Sequence, residues 1–250
     1  MAIGESILIK KLKIGKNTKI LDIGGAMKQH ERIKIDTLVD IIRPEEAPYR
    51  PSKLKAKKFI KVDITKEKLP FKNNEFEVCL CTHTLEDLYD PFPAINEMSR
   101  VAKRGYIATP AMGADMVFSH IDMTDWLSGA RRVPGKAHHK WFFVNDGGVM
   151  KIIPKNYGIL YTSNFQIVDW NGEEEFELFW YDRIDIKEVS DLSIHALIDE
   201  YQDFVNKNRS FIRFGRVLAY YDNPIQVTKA YLKYILKRGA GFKFRKIRKT

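Results

Sequence analysis

The stretch that decides the fold is residues 62–110, VDITKEKLPFKNNEFEVCLCTHTLEDLYDPFPAINEMSRVAKRGYIATP. Within it, Phe76–Thr82 and Gly105–Thr109 are short apolar runs bounded by turn-forming residues, which is typical of buried parallel strands. Pro93–Val101 lies between them, begins with a proline and carries apolar residues at helical spacing. A strand, a helix and a strand in this order predict a parallel βαβ unit.

Three more apolar runs precede this unit along the chain. They are Lys19–Ile23, which is followed by Gly24-Gly25, then Ile35–Ile41, and Lys58–Val62, which is followed by Asp63. Each has the length and composition of a buried strand. Together with the βαβ unit they predict an α/β fold, with a doubly wound, mostly parallel sheet of about seven strands and helices on both faces.

The chain beyond residue 110 has a different pattern. Residues 111–145 predict a lid or insertion, because long irregular connections inside a compact domain are usually binding loops. Three apolar runs follow, Tyr157–Thr162, Phe165–Trp170 and Phe176–Tyr181. The last two flank Asn171-Gly172 and an acidic run, which predicts an antiparallel pair of strands.

The C-terminal part is helical in pattern and basic. Helical spacing covers Leu192–Val205 and Ile225–Leu236, and Lys237–Thr250 is rich in lysine and arginine. We therefore expect one domain over residues 1–185 and a helical, basic C-terminal extension over residues 186–250. The net charge of +10 favours anionic partners such as nucleic acid, phosphorylated sugars or a membrane surface. A lysine-rich composition unrelated to partners is the alternative.

Hydropathy and cysteine usage argue against a membrane protein, a secreted protein and a cysteine-ligated zinc protein. No apolar run approaches the ~20 residues of a membrane-spanning helix, and the N-terminus lacks the apolar core of a secretory signal. We therefore expect a cytoplasmic protein. Cys79 and Cys81 fall on the same face of a buried strand, and no second cysteine pair exists to complete a zinc site.

Glycines and acidic residues follow the first three predicted strands. Asp22 and Gly24-Gly25 belong to the first, Asp40 ends the second, and Asp63 follows the third. In a doubly wound sheet a glycine turn lets the backbone approach a cofactor, and an acid ending the second strand accepts hydrogen bonds from ribose hydroxyls. The acid after the third strand is expected beside an adenine amine. This ordered set predicts a cofactor that contains adenosine.

The same region resembles the class I S-adenosylmethionine-dependent methyltransferases, specifically the methyltransferase type 11-like group. The motifs that carry the resemblance are Asp63, Leu69-Pro70-Phe71, Asn73-Asn74, Phe76-Glu77, Thr82-His83-Thr84-Leu85-Glu86, Glu97-Met98-Ser99-Arg100-Val101 and Gly105. The resemblance covers residues 18–110 well and the later chain only loosely. It implies a Rossmann-like fold, methyl-transfer activity and S-adenosyl-L-methionine as the cofactor.

The resemblance also implies cofactor-binding residues. They are Asp22, Gly24 and Gly25 in the cofactor loop, Asp40 as the ribose acid, Asp63 and Ile64 on the adenine side, and Thr82 and His83 facing the methionine portion and the substrate. The family's first motif has three alternating glycines, whereas Asp22–Lys28 departs from that pattern and the segment before Asp40 is short. A dinucleotide oxidoreductase would require Gly-x-Gly-x-x-Gly, which is a poorer match.

Three histidines are candidate catalytic bases. His138 and His139 lie in the predicted lid, and His83 lies at the end of the fourth strand. A hydroxyl acceptor benefits from a general base, and imidazole titrates in the useful range. We favour His139, because it precedes Lys140-Trp141, whose ring can anchor the loop. No carboxylate stands at a useful spacing from the two adjacent histidines, so no metal site is predicted.

Three kinds of function fit these features. The resemblance favours O-methylation of a small hydroxylated acceptor such as a sugar or glycan precursor, and Arg131, Arg132 and Lys136 are candidate anchors for its phosphate or carboxylate. An RNA methyltransferase is the first alternative, because basic residues and aromatics in the C-terminal tail suit phosphate contact and base stacking. A non-catalytic binding protein whose tail docks on a membrane or partner is the second. The oligomeric state does not follow from the sequence.

Overall fold

The structure is a computed structural model that describes residues 3–48, 50–119, 133–189 and 192–215. The strands are β1 (Ile20–Ile23), β2 (Thr37–Asp40), β3 (Lys58–Lys61), β4 (Phe76–Thr82), β5 (Ala102–Pro110), β6 (Phe118–Ser119), β7 (Val133–Pro134), β8 (Trp141–Asp146), β9 (Val149–Pro154), β10 (Ile167–Trp170), β11 (Glu175–Tyr181), β12 (Ile186–Glu188) and β13 (Ile212–Phe214). The α-helices are α1 (Glu5–Lys11), α2 (Phe92–Val101), α3 (Met112–Met116), α4 (Tyr157–Leu160) and α5 (Ile194–Lys207).

The central sheet has six strands in the order β11-β5-β4-β1-β2-β3. The first five strands of the chain that join it are parallel, and β11 pairs antiparallel with β5. The chain runs outward from β1 to β3 and then returns to the other side of β1, which places the switch point between β1 and β4. The Rossmann-like α/β prediction is confirmed, with six strands where the sequence predicts about seven.

Both faces of this sheet are covered, as the continuous apolar strands predict. On β4, Cys79 and Cys81 pack with α2 and with residues of β8 and β9 on one face. Val78 and Leu80 alternate with them and pack with α1 on the other face. The two cysteines are therefore buried on one face as predicted, and both are free thiols.

The Leu-Pro-Phe and Glu-x-x-Arg motifs form one structural clamp. Glu97 on α2 accepts a hydrogen bond from the backbone N–H of Leu69 at 2.7 Å. Arg100 donates to Glu97 and to the carbonyl oxygens of Leu69 and Phe71. Charge-assisted bonds of this kind are about twice as strong as neutral ones. The motifs therefore hold the loop before β4 against α2.

The edges of the central sheet differ. At one edge, β11 covers β5, and the ring of Trp180 lies so close to Gly105 that a Cβ at residue 105 would fall 2.6 Å from it and 2.1 Å from the carbonyl oxygen of Cys79. At the other edge lies β3, on which Lys58 and Lys61 are exposed. No strand in the described part of the chain pairs with the outer side of β3.

The apolar run Tyr157–Thr162 begins with the short helix α4, which Asn156 caps by accepting a hydrogen bond from the N–H of Ile159. One expectation for the later chain is wrong. The predicted antiparallel pair of Phe165–Trp170 with Phe176–Tyr181 does not form. Instead β11 joins the central sheet, where it buries alternate side chains, and β10 pairs with β13.

The sequence analysis missed a hairpin at the end of the predicted lid. β8 and β9 pair antiparallel around Gly147-Gly148, whose φ angles of 66° and 92° are those of a two-residue hairpin turn. β12 adds to β9 in parallel. This second sheet packs on the same face of the central sheet as α2.

The helix predicted over Leu192–Val205 is present as α5. It buries Leu197, Tyr201 and Val205 against Phe142 of β8 and Phe165. The second predicted helix, the basic tail and Arg131-Arg132 lie outside the described residues. Among the described residues no helix is long and apolar enough to cross a membrane.

Candidate active site

The turn after β1 requires both of its glycines. Gly24 has a φ of 76°, and a Cβ on it would fall 2.0 Å from the hydroxyl oxygen of Thr84. A Cβ on Gly25 would fall 2.1 Å from the carboxylate of Asp22. A short 3₁₀ turn over Gly25–Met27 takes the place of a full helix. The tight turn leaves its backbone at the carboxyl edge of the sheet, where a cofactor approaches.

Asp22 is a buried carboxylate, and one of its oxygens lacks a hydrogen-bond donor. Its side chain is 1% exposed, and its Oδ1 has no hydrogen-bond partner. Burial raises the pKa of Asp22 to about 6. An unsatisfied buried oxygen is costly, and a ligand donor removes that cost. The residue therefore fits the cofactor loop that the resemblance implies.

Asp40 ties the first two strand ends together. Its Oδ2 accepts a hydrogen bond from the N–H of Ala26 at 3.0 Å, and its Oδ1 accepts one from Ile42 at 3.2 Å. Burial raises its pKa. Two neighbouring apolar side chains were missed by sequence reasoning: Ile41 is 56% exposed and Met27 is 39% exposed. Exposed apolar side chains of this kind can mark a ligand-binding surface.

Asp63 follows β3, but its carboxylate is used by its own turn. Oδ1 accepts hydrogen bonds from the N–H and hydroxyl of Thr65, and Oδ2 pairs with Lys66 at 2.8 Å. The hydrogen bond from Lys66 lowers the pKa of Asp63 to about 2. The next residue, Ile64, is buried. A cofactor that contacted the Asp63 carboxylate would therefore share it with Thr65 and Lys66.

His83 lies just beyond Thr82, the last residue of β4, with a φ of 52°. Its Nδ1 is 3.4 Å from Glu86 and its Nε2 is 3.4 Å from Glu175. The hydrogen bond to Glu86 raises the pKa of His83. Both ring nitrogens of His83 thus face carboxylates.

His139 is held by a buried hydrogen bond to Asp115. Its ring is 2% exposed, and its Nδ1 lies 3.0 Å from Oδ1 of Asp115 on α3. The other oxygen of Asp115 pairs with Lys155 at 2.7 Å, and the N–H of Lys136 donates to Oδ1. Burial lowers the pKa of Lys155. Sequence reasoning missed both Asp115 and Lys155, because nothing in the pattern marks a lysine that will be fully buried.

His138 adjoins this cluster but is mostly exposed. The two histidine rings meet edge to face, with centroids 4.7 Å apart. Nε2 of His138 is 3.7 Å from Oδ1 of Asp87, and Nε2 of His139 is 3.9 Å from the same oxygen. Burial lowers the pKa of His138. The fold thus brings the carboxylate of Asp87 next to the two adjacent histidines, although the sequence shows no carboxylate at a useful spacing from them.

The three candidate histidines line one cavity of ≈ 780 Å³. Pro110 at the end of β5, Asp115 and Trp170 also line it. A second cavity of ≈ 860 Å³ shares Trp170, Glu174 and Glu175 with the first. The structure therefore brings the histidines together beside the ends of β4 and β5, while Asp22 and Asp40 lie at the ends of β1 and β2. Pockets of this size accommodate small molecules.

Residues 15–108 match the family model described as a methyltransferase domain. This segment of the chain is thus similar to methyltransferase domains. The match confirms the resemblance seen in the sequence and implies S-adenosylmethionine as the cofactor. No curated protein matches the chain.

Solved structures with related folds are distant. The YcgJ protein of Bacillus subtilis is 20% identical, with a TM-score of 0.33, over 42% of this chain and 50% of that one. A putative methyltransferase from an antibiotic biosynthesis pathway of Anabaena variabilis is 12% identical, with a TM-score of 0.36, over 50% of each chain. An S-adenosylmethionine-dependent methyltransferase of Mesorhizobium loti is 14% identical, with a TM-score of 0.35, over 55% of this chain and 66% of that one. The chain thus spans about half the length of the first two.

Most residues that line the cavity of the three histidines lie beyond the family match. The family match stops at residue 108, and Pro110, Asp115 and the two adjacent histidines all follow it. Lys136, a predicted acceptor anchor, donates through its backbone to Asp115. Of the three candidate histidines, only His83 lies within the matched segment.

Proposed function

We propose that the protein is an S-adenosylmethionine-dependent methyltransferase that acts on a small hydroxylated acceptor such as a sugar or glycan precursor. The observation that carries the acceptor part is the buried His139–Asp115 pair in the wall of a ≈ 780 Å³ cavity beside the ends of β4 and β5. The family match supports the methyl-transfer part.

The residues present fit the cofactor. The backbone at Gly24 and Gly25, the unsatisfied carboxylate of Asp22 and the strand-ending Asp40 would hold it. When bound, S-adenosylmethionine supplies an electrophilic methyl group on a sulfonium. The chain's own task is then to hold an acceptor oxygen in line and make it nucleophilic.

The acceptor hydroxyl is activated at Nε2 of His139. Because the Asp115 carboxylate accepts the Nδ1–H, the lone pair of the ring stands on Nε2. Lys155 and the N–H of Lys136 keep Asp115 in place, which fixes the ring orientation. His83 forms another wall of the cavity, and because both of its ring nitrogens face carboxylates, we assign it to binding the acceptor.

The first experiment measures binding of S-adenosylhomocysteine by calorimetry and thermal shift. Ligand at a hundred times its dissociation constant adds about 2.7 kcal/mol to the stability of the folded state. No shift at millimolar ligand would refute the cofactor assignment.

The second experiment screens acceptors with S-adenosylmethionine that carries a labelled methyl group. Sugars, nucleotide-sugars and other small hydroxylated compounds form one arm, and RNA forms the other. We expect label in a small acceptor. Label in RNA alone would instead favour the RNA methyltransferase suggested by the net charge of +10.

A further inference from the structure

Three potential metal ligands meet at the mouth of the acceptor cavity. One ligand atom from each of Asp87, His138 and His139 lies within 4.8 Å of the other two. Two imidazoles and one carboxylate are a donor set suited to zinc and other divalent transition metals. Tetrahedral zinc with bonds of about 2.0–2.1 Å separates its ligand atoms by about 3.3 Å. The distances from Asp87 to the two rings must therefore shorten by about half an ångström, and the two histidine nitrogens, now within 4.8 Å of each other, must reach the same separation.

The ligand atoms of Asp87, His138 and His139 are too far apart to be hydrogen-bonded to one another. Nε2 of His138 and Nε2 of His139 are 3.7 Å and 3.9 Å from Oδ1 of Asp87, and both distances exceed hydrogen-bond length. Two nitrogens and a carboxylate oxygen thus converge on one point without bonding one another directly. This arrangement is expected of a metal site before the ion enters.

His139 has the support that a metal-ligating histidine requires. Its Nδ1 faces the buried carboxylate of Asp115, so the Nε2 lone pair is the one presented towards Asp87. A carboxylate on the far nitrogen of a ligating histidine fixes its tautomer and raises its basicity. Lys155 in turn holds Asp115, so the supporting group is itself fixed.

The two segments that carry the ligands are already joined. The N–H of Lys140 donates to the carbonyl oxygen of Glu86 at 2.7 Å, and its Nζ donates to the carbonyl oxygens of Asp87 and His138. Nε1 of Trp141 donates to the carbonyl oxygen of Leu88 at 2.9 Å. Little conformational freedom therefore remains to be lost when a metal binds.

We propose that Asp87, His138 and His139 bind a divalent transition metal ion, and that its open coordination position faces the acceptor cavity. The metal binding does not depend on the proposed function, but the following role rests on it. The acceptor hydroxyl binds the ion through its oxygen, its proton passes to water, and the oxygen left on the metal is the nucleophile. With the metal bound, Nε2 of His139 holds the ion, and the ion takes over from the ring nitrogen as the group that activates the hydroxyl.

The test is metal binding to the whole chain in the absence of cofactor and acceptor. The protein is treated with a chelator and titrated with Zn²⁺ by calorimetry and with Co²⁺ by visible absorption. We expect one equivalent of metal and, for Co²⁺, the absorption of a four- or five-coordinate site. Asp87→Asn and His138→Ala should each weaken binding at least tenfold, and Asp115→Asn should weaken it about 10–100-fold.

The control is His195→Ala, because His195 is an exposed histidine on α5 outside the cavity. It should bind metal as the unaltered protein does. Asp87 and His138 are largely exposed, so their variants are expected to fold, which circular dichroism confirms. Metal affinity unchanged in the His138→Ala and Asp87→Asn variants, or no metal bound by the unaltered chain, overturns the proposal.

The two proposals fail separately. Failure to bind metal, with S-adenosylhomocysteine still bound, removes the metal site and leaves the methyltransferase. Metal bound in a protein that takes up no S-adenosylhomocysteine removes the proposed function and leaves the site.

Discussion

Two buried carboxylates, one on each side of the candidate site, differ in how far their hydrogen-bonding capacity is used. Asp22 lies under the turn after β1, and its Oδ1 has no hydrogen-bond partner. Asp115 lies beyond β5, and both of its oxygens are used: one by His139 and the N–H of Lys136, and the other by Lys155.

The difference shows which side is complete without a ligand. A buried charge is tolerated when it is paired and hydrogen-bonded, and is costly otherwise. The acceptor side meets that requirement from within the chain, so its wall is preformed. The proposed cofactor side leaves Asp22 unsatisfied, as we expect of a site that a bound ligand completes.

The largest expected effect is on catalysis at the acceptor side. His139→Ala should lower turnover by roughly 10²–10⁴-fold, because the acceptor hydroxyl loses its activating group. Affinity for S-adenosylhomocysteine, measured by calorimetry, should stay the same, since Asp22 and Asp40 are untouched. His83→Ala is the comparison: if it abolishes turnover while His139→Ala retains it, the assignment of the two histidines is reversed.

The next effect is on stability. Asp115→Ala leaves the buried ammonium of Lys155 without its partner and should lower the free energy of unfolding by about 3–5 kcal/mol. Urea denaturation measures this change. The double variant Asp115→Leu, Lys155→Met removes both charges and should recover much of the loss. A single variant as stable as the unaltered protein would mean that the pair does not hold the wall.

Replacing Asp22 should raise the free energy of unfolding near neutral pH, whereas replacing Asp115 lowers it. Its pKa in the folded state, about 6, is above the unfolded value of 3.8, so its contribution to stability is fully present below pH 4 and is lost as the pH rises through 6. The change amounts to about 3 kcal/mol at most. Asp22→Asn should remove this component and make the unliganded protein more stable at pH 7.

Urea denaturation of both proteins at pH 4.5 and pH 7.5 isolates the Asp22 component from other titrating groups. Added S-adenosylhomocysteine should bind the Asn variant more weakly. Identical pH dependence in the two proteins would show that Asp22 is already satisfied without a ligand.

The smallest effect concerns Asp40. Asp40→Ala removes a charged acceptor and should weaken S-adenosylhomocysteine by about 1.5–3 kcal/mol, measured by calorimetry. Asp36→Ala is a matched control, because Asp36 precedes β2, where it accepts from the N–H of Ile20 and pairs with Lys57 at the opposite edge. Equal weakening by both variants would argue against a ribose contact at Asp40.

The fold of the half that we propose to bind the cofactor was largely predictable, because its signals are local. Strand composition and the order of Asp22, Asp40 and Asp63 fixed the first three strands and their carboxyl ends. The clamp between Glu97 and Arg100 appeared in the sequence as a family motif, and the structure gives its physical basis.

The acceptor side was not predictable, because its contacts link distant residues. Asp115 and Lys155 are 40 residues apart in the chain, and only burial makes them partners. Asp87 meets His138 for the same reason. The pairing of β11 with β5 depends on Trp180 fitting over Gly105, which no local pattern shows. The Gly147-Gly148 turn was a local signal that went unused.

The outer side of β3 bears on how copies of this chain behave in concentrated solution. A strand at the edge of a sheet offers free backbone groups to any neighbouring strand, which invites aggregation. Here the strand has four residues and an exposed lysine at each end, Lys58 and Lys61. A second copy approaching along this edge would bring like charges together and find few backbone groups to pair with. The two lysines thus disfavour edge-to-edge pairing of the sheets of two molecules.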